Sequence, residues 1–330
     1  MTVTRPDLHD PALHATWQAR AAACAVTPFL SWMWVGCLAA ERFVEPRLVG
    51  AGGSLALFNV RGRTWSLQES GDPALDAVFT EHNGALGPLG PVLDAVRGRA
   101  GRVRLSGIDD AGLAAVRAAG GIIVGLQTRA APFAVLDPAV AHAERLSRNT
   151  RSQVRRSDRS YAADGAIRVE RADTVEQALD WLDRLVVLHR ATWESRGVES
   201  GFLGPSVQRF HRALIAGGVP TGEVDVLRIG AGGRVIGYLL NLRGHGRVHA
   251  YQSGFDYGGA GLHEKPGLTC HHAAIERARL AGDVEYDFLA GDARYKRSLA
   301  TGSRNLHWLV WKPRPALFGF EAVVRRWLRR

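Results

Sequence analysis

Lysine is scarce in this chain. Among 330 residues it stands only at 265, 296 and 312, although Lys and Arg together number 42 against 32 Asp and Glu. The formal charge of +10 and the isoelectric point near 10.2 therefore rest on arginine. Such a balance suits an anionic partner such as nucleic acid, a phosphorylated cofactor or a membrane surface, and a genome biased toward Arg codons produces the same skew. No RNA-binding or DNA-binding signature accompanies the charge. Cysteine is scarce too: Cys24, Cys37 and Cys270 lie too far apart for a disulfide framework or a zinc spacing. No apolar run reaches the length needed to cross a bilayer, and the opening "MTVTRPDLHD" lacks the basic and apolar regions of a signal peptide. A cytoplasmic protein with reduced thiols is the simplest expectation.

What is present describes an ordered globular chain. Hydrophobic residues make up 46% and charged residues 22%, so disorder is excluded. The length exceeds one average core, and two domains are expected, 1–145 and 146–330, divided near "RLSRNTRSQVRRSDRSY". Before the division, apolar period and Gly or Pro punctuation predict helices around Ala12 to Cys24 and Phe29 to Ala40. A strand-turn-strand run through "RLVGAGGSLALFNVRG" follows, with strands at "TWSLQES" and "DAVFTEHN". A helix, strand "RVRLSG", helix "DAGLAAVRAAG" and strands "IIVGLQT" and "PFAVLD" complete that half.

The second half has a sharper order. Strand "IRVER" precedes a long helix from Val175 to about Arg196 and another from Ser206 to Ala216. Strands "EVDVLRIG", "RVIGYLLNLRG" and "RVHAYQSGF" come next, the first two joined by the turn "AGG". A helix after Pro266, strand "VEYDFLA", a helix carrying Tyr295, strand "NLHWLVWK" and a final helix close the chain. Three antiparallel strands ahead of a βα crossover make a mixed α/β plan.

The stretch "YDFLAGDARYKRSLA" runs a bulky strand into a helix through Gly291 and Asp292. Asp is a preferred N-cap because its carboxylate accepts from free first-turn amides, so a helix is expected from Ala293 with Asp292 as its cap. Tyr295 and Lys296 then sit where a sheet edge meets the positive end of a helix, a placement shared by reactive groups and plain solvated helix starts.

In this order, "LSRNTRSQVRRSDR", "LHRATWESRG", "GFD…KPG" and "YDFLAGDARYKRSLA" resemble the GNAT acyltransferase superfamily, and within it the CelD-like branch related to the FemAB peptidyltransferases. The first half, with "TPFLSWMW", resembles a degenerate companion lobe. The resemblance implies an α/β fold of two GNAT-like lobes, each a mixed central sheet flanked by helices, with catalysis in the C-terminal lobe. It also implies acyl transfer from a thioester to an amine, with acyl-CoA (acetyl or longer) or an acyl-carrier protein as donor. Acceptors across such enzymes include small molecules, amino sugars and peptide side chains.

The chemistry needs a deprotonated amine, a polarised carbonyl and an acid for the departing thiolate. In GNAT enzymes a Tyr at the start of the helix after the fifth strand protonates the thiolate, and the resemblance gives that role to Tyr295; the alternative is a phenol covering the sheet edge. Period two puts His249, Tyr251, Ser253 and Phe255 on one strand face, so His249 is a candidate base and Tyr251 a substrate contact, or both are packing residues. On the long helix, Leu185, Leu188, His189, Thr192, Trp193 and Arg196 form a stripe. His189 and Trp193 match the branch's motif, and the resemblance makes His189 a catalytic candidate and Trp193 a substrate contact, both lining an acceptor pocket; the alternative is a buried His beside a core Trp.

For the donor's phosphates, Pro266 suits the first helical position, Gly267 follows it and Lys265 adds a cation beside the free amides. The widespread GNAT pyrophosphate pattern is missing from "FDYGGAGLHEKPG". Lys296 is a further phosphate contact, and Asp292 a cap or a substrate contact. Arg148, Arg151, Arg155 and Arg159 lie near one helix face with Arg156 beside it. Such a stripe fits a phosphorylated carrier, a carrier-protein surface or tRNA, or is a solvated face. Neither "CHH" at 270–272 nor His263-Glu264 has metal spacing, so no metal is assigned. The tail "ALFGFEAVVRRWLRR" carries an apolar stripe for peripheral membrane contact, for a long acyl donor, or for closing its own domain. Two other readings stay open: FemAB-like aminoacyl transfer from charged tRNA, and a non-catalytic binding module that kept the fold.

Overall fold

In the computed structural model, residues 1–72, 76, 80–197, 200, 202 and 204–314 are described. The tail helix expected over 316–330 lies outside them. The chain forms two compact units, one of Met1–Arg129 with the chain from Asn305, the other of Ala130–Arg304. The sequence reading divides at 145/146 and gives the last strand to the second half.

The first unit contains α1 (Pro11–Ala23) and α2 (Trp32–Arg42), then β1 (Thr2–Thr4), β2 (Pro46–Ala51), β3 (Ser54–Arg61), β4 (Thr64–Leu67) and β5 (Arg102–Ile108), with α3 (Leu89–Arg97) and α4 (Asp110–Ala118). Sheet order is β1-β2-β3-β4-β5-β12, where β12 is Gly302–Lys312, and β4–β5 is the parallel pair. Its core joins Phe58, Leu67, Leu105 and Trp311 to Val92 and Val96 of α3. Of the strand expected over "DAVFTEHN", the described residues show only one bridge: Asp76 is helical, Thr80 to His82 are outside any strand, Asn83 makes an isolated parallel bridge to Ile108, and 77–79 lie outside the described residues. "IIVGLQT" and "PFAVLD" are one continuous strand, β6 (Ile122–Val135), since Pro132 sits within it without breaking it.

The second unit adds α5 (His142–Arg145), α6 (Arg148–Ala162), β7 (Ile167–Arg171), α7 (Val175–Glu194), α8 (Pro205–Thr221), β8 (Val224–Ala231), β9 (Arg234–Gly244), β10 (Arg247–Phe255), α9 (Pro266–Leu280), β11 (Glu285–Asp287) and α10 (Arg294–Leu299). Sheet order is β6-β11-β10-β9-β8-β7, with β10–β11 parallel and the other pairs antiparallel. Helix starts follow ordinary capping chemistry: Ser147 and Thr174 hydroxyls accept from the amides of Thr150 and Gln177, both at 3.2 Å. The β8–β9 turn uses Gly232 and Gly233 at φ 56° and 88°, and a Cβ at Gly232 would collide with the Asp164 carbonyl. Leu227, Ile229, Leu239, Val248, Phe255 and Tyr286 of the sheet meet Leu268, Cys270 and Ile275 of α9 and Val154 and Tyr161 of α6 in one core. Val207, Phe210 and Leu214 of α8, with Trp181, Leu182 and Leu185 of α7, are buried as well. Among the described residues no helix is long and apolar enough to cross a membrane.

Candidate active site

The parallel strands β10 and β11 pair over three positions, Arg247 to His249 with Glu285 to Asp287, and go no further. β10 continues to Phe255, whereas β11 stops, because the backbone turns at Leu289 with φ 62°. "VEYDFLA" is therefore a strand only at Glu285–Asp287. Beyond its third rung the sheet parts, and crevices at the carboxyl ends of parallel strands are where α/β proteins hold ligands.

A bulge shapes the same region. Ala250 faces Asn241 and Gln252 faces Leu240, so Tyr251 is the extra residue on β10. An inserted residue reverses the alternation, and this corrects the expected common face of His249, Tyr251, Ser253 and Phe255. Phe255 instead joins Val248 and Ala250 in the core under α9, 5.6 Å from the His271 ring. Tyr251 stacks on His211 of α8 at 5.5 Å, with its hydroxyl 3.1 Å from Nε2. The His211 Nδ1–H donates to the Val207 carbonyl, so Nε2 accepts from Tyr251. Tyr251 is buried at this contact. His249 is fully buried where the strands begin to part, with its ring nitrogen and an Asp287 oxygen within 4.8 Å.

At the opening of α9, Pro266 occupies the first turn, and among the described residues no side chain caps the free amides. A Cβ on Gly267 would lie 2.9 Å from the Tyr257 hydroxyl, so glycine leaves room for that phenol above the helix start. The Lys265 amide donates to Ser157 Oγ at 2.8 Å and its ammonium to Gln153 Oε1 at 2.6 Å. Burial first, then the charges of Arg156 and Arg294, lower the Lys265 pKa, so three cations share this end of the helix.

The ring of Tyr295 lies on His271 of α9 with 4.8 Å between centroids and 12° between planes. Phenol and helix opening thus belong to the same side of the sheet. Burial raises the Tyr295 pKa, as does neighbouring Tyr257, while Arg196 opposes them. Its phenol is accordingly protonated at neutral pH.

Residues 148–297 match the model of the acetyltransferase (GNAT) domain. No curated protein matches the sequence. Among solved structures, FemX aligns over 93% of this chain and 97% of its own, with 11% identity and a TM-score of 0.59. L-PGS from Bacillus licheniformis aligns over 97% of both chains, with 12% identity and a TM-score of 0.54. A conserved protein of unknown function from Bacteroides thetaiotaomicron VPI-5482 aligns over 94% of this chain and 100% of its own, with 9% identity and a TM-score of 0.55. These likenesses are of fold.

Within residues 148–297, the other expected site residues fall into two groups. His189 and Trp193 of α7 lie together, ring centroids 5.8 Å apart, and the Arg196 guanidinium sits 5.5 Å over the Trp193 ring. His189 is buried; its Nδ1 is 3.0 Å from the Ser253 carbonyl of β10 and its Nε2 is 2.8 Å from Ser200 Oγ. Burial lowers its pKa, partly offset by the Ser253 carbonyl, so the ring is neutral at physiological pH. In the second group, Lys296 donates its ammonium to the carbonyls of Leu289 (3.2 Å) and Ala290 (2.9 Å), bracing the loop after β11. Asp292 does not cap the following helix. That helix begins at Arg294 with Ala293 in the cap position and no side-chain cap, and the exposed Asp292 carboxylate pairs with Arg297.

Sequence reasoning missed Ser200, His211, Tyr257 and His271. Each meets its partner through tertiary packing, and no periodicity or motif in the sequence marks such a contact.

Proposed function

We propose that the GNAT-type domain transfers an acyl group from a thioester donor to a primary amine, as a member of the CelD-like, FemAB-related branch. The observation that carries this reading is the parting of β10 and β11 after three rungs, with the Tyr295 phenol and the uncapped start of α9 on one side of it. The thioester lies in the gap. Free amides of Gly267 and Leu268, with Lys265, Arg156 and Arg294 nearby, hold the phosphates of acyl-CoA or of a carrier protein's prosthetic arm. Tyr295, kept protonated by burial, donates its proton to the departing sulfur. Trp193 and Arg196 line the acceptor side. The acceptor is an amine of a small molecule, an amino sugar or a peptide side chain.

The test is mass spectrometry of reactions that combine pooled amines with acetyl-CoA, long-chain acyl-CoA and acyl-carrier protein. An acylated amine that depends on enzyme is expected. No turnover with any pairing overturns the reading.

One observation favours a second donor. Arg148, Arg155, Arg156 and Arg159 of α6 are exposed and border one concavity, and among the described residues none meets a carboxylate, whereas nearby Arg145 pairs with Asp137 at 2.7 Å. A run of unpaired guanidiniums suits a phosphate backbone, as FemAB-like transfer from charged tRNA requires. Fluorescence anisotropy with tRNA decides it. Binding that weakens steeply with salt, and is lost in Arg155→Ala/Arg159→Ala, supports this donor; salt-insensitive or absent binding removes it.

A further inference from the structure

His189 and Ser200 form an arrangement that the acid role of Tyr295 does not use. A backbone carbonyl only accepts, so the 3.0 Å contact between Ser253 O and His189 Nδ1 places the ring proton on Nδ1. Nε2 is then a bare acceptor. Ser200 Oγ, 2.8 Å from it, must be the donor. The Phe202 amide donates to the same oxygen at 3.3 Å, which fixes the hydroxyl from the other side. Phe202 also packs against the His189 ring with centroids 5.0 Å apart, and Trp193 closes on it at 5.8 Å, so the imidazole has little freedom to turn.

A hydroxyl donating to an imidazole that a third group orients is the geometry of an activated nucleophile, whatever fold carries it. The third group here is the Ser253 carbonyl, on the half of β10 that runs past its pairing with β11. Unlike His211, whose Nε2 receives the buried Tyr251 phenol, His189 receives a hydroxyl on a residue that is only partly buried.

We propose that Ser200 is a nucleophile that carries the acyl group as a serine ester between donor and acceptor. This rests on the thioester-to-amine reading for the identity of the acyl group. In the first half-reaction the Ser200 oxygen bonds to the thioester carbonyl carbon and the carbon–sulfur bond breaks. His189 Nε2 takes the Ser200 proton, and the departing sulfur takes the Tyr295 proton. In the second, the amine nitrogen bonds to the ester carbon and the carbon–oxygen bond breaks. The Ser200 oxygen recovers its proton from His189, and the amine's proton restores Tyr295. All atoms and protons balance without an oxidant, a reductant or a metal.

The test uses a fluorophosphonate ester on the full-length protein, followed by intact-mass and peptide mass spectrometry. One phosphonyl group on Ser200 is expected, absent in Ser200→Ala and formed at least 10-fold more slowly in His189→Gln. No adduct on Ser200, or an unchanged rate in His189→Gln, overturns the proposal. Because the histidine substitution disturbs a buried site, Ser200→Cys provides a check that leaves His189 in place. Its thiol should react with iodoacetamide faster than the exposed Cys24 of the same chain, and an equal or slower rate counts against activation. Neither reagent is a thioester or an amine, so the outcomes separate. A labelled Ser200 without thioester turnover overturns the transferase reading alone, and turnover without labelling overturns this one alone.

Discussion

The Tyr295 ring stacks on His271 at 4.8 Å, which holds the phenol by its face and leaves the hydroxyl to project from the contact. Tyr295→Phe keeps the stacked ring and removes only the oxygen. General acid catalysis is worth about 10²–10⁴-fold. Acyl transfer by the variant should therefore fall by about 100-fold or more, with a thermal midpoint within about 2 °C of the parent. Unchanged turnover would remove the acid role while leaving the fold reading intact.

His271 bears on stability as well. It is fully buried, its Nδ1 lies 3.1 Å from the Tyr286 hydroxyl, and burial, then Lys296, lowers its pKa from 6.5 to about 3. His142 is lowered to about 4, by burial and then by His272. A histidine depressed in the folded state is neutral there while the unfolded chain takes up a proton below its ordinary value. The stabilisation is complete above about pH 6.5 and is lost as pH falls toward 3, at up to about 1.4 kcal/mol per pH unit for each group. Urea midpoints measured from pH 7 to pH 4 should drop steeply for the parent and less steeply for His271→Phe. Parallel pH profiles for the two proteins would show that His271 carries none of the acid sensitivity.

How much of this was legible in the sequence depends on the range of the cause. "AGG" between two β-rich runs announces its hairpin because the turn is built from its own residues, and Pro266 marks a helix start for the same reason. The bulge at Tyr251 left no such mark, and one extra residue was enough to send Phe255 to the opposite face from the expected one. The tertiary pairing of His189 with Ser200, across eleven positions of chain, has no period to betray it. Asp292 misled in the other direction: a good capping residue stood at a good capping distance, but the loop after Leu289 delayed the helix and left the carboxylate in solvent.

Asp225 offers a test of what holds the sheet end together. The carboxylate is 2% exposed and faces Arg171 at 2.6 Å, Arg277 at 3.4 Å and Arg243 at 3.6 Å, all within the second unit. Removing this anion leaves Arg171 and Arg277 without the carboxylate they face, while Arg243 keeps Asp283 at 2.7 Å. Asp225→Asn should cost about 3–5 kcal/mol in chemical denaturation. A loss below 1 kcal/mol would mean that the guanidiniums find water without it.

Gly254 joins fold to chemistry. A Cβ there would lie 2.3 Å from the Leu185 carbonyl of α7, a contact with main chain that no rotamer can relieve. Leu185 is one helical turn before His189, and His189 is bound to the carbonyl of Ser253, the residue beside Gly254. Gly254→Ala must push α7 off β10 at the point where that bond is made. Overpacking of this kind costs about 1–3 kcal/mol. The same shift lengthens the Nδ1 contact that fixes the His189 tautomer, so the variant should also lose at least 10-fold in the rate of fluorophosphonate labelling at Ser200. Stability lost with labelling retained would mean that the imidazole is held by its aromatic neighbours rather than by the strand.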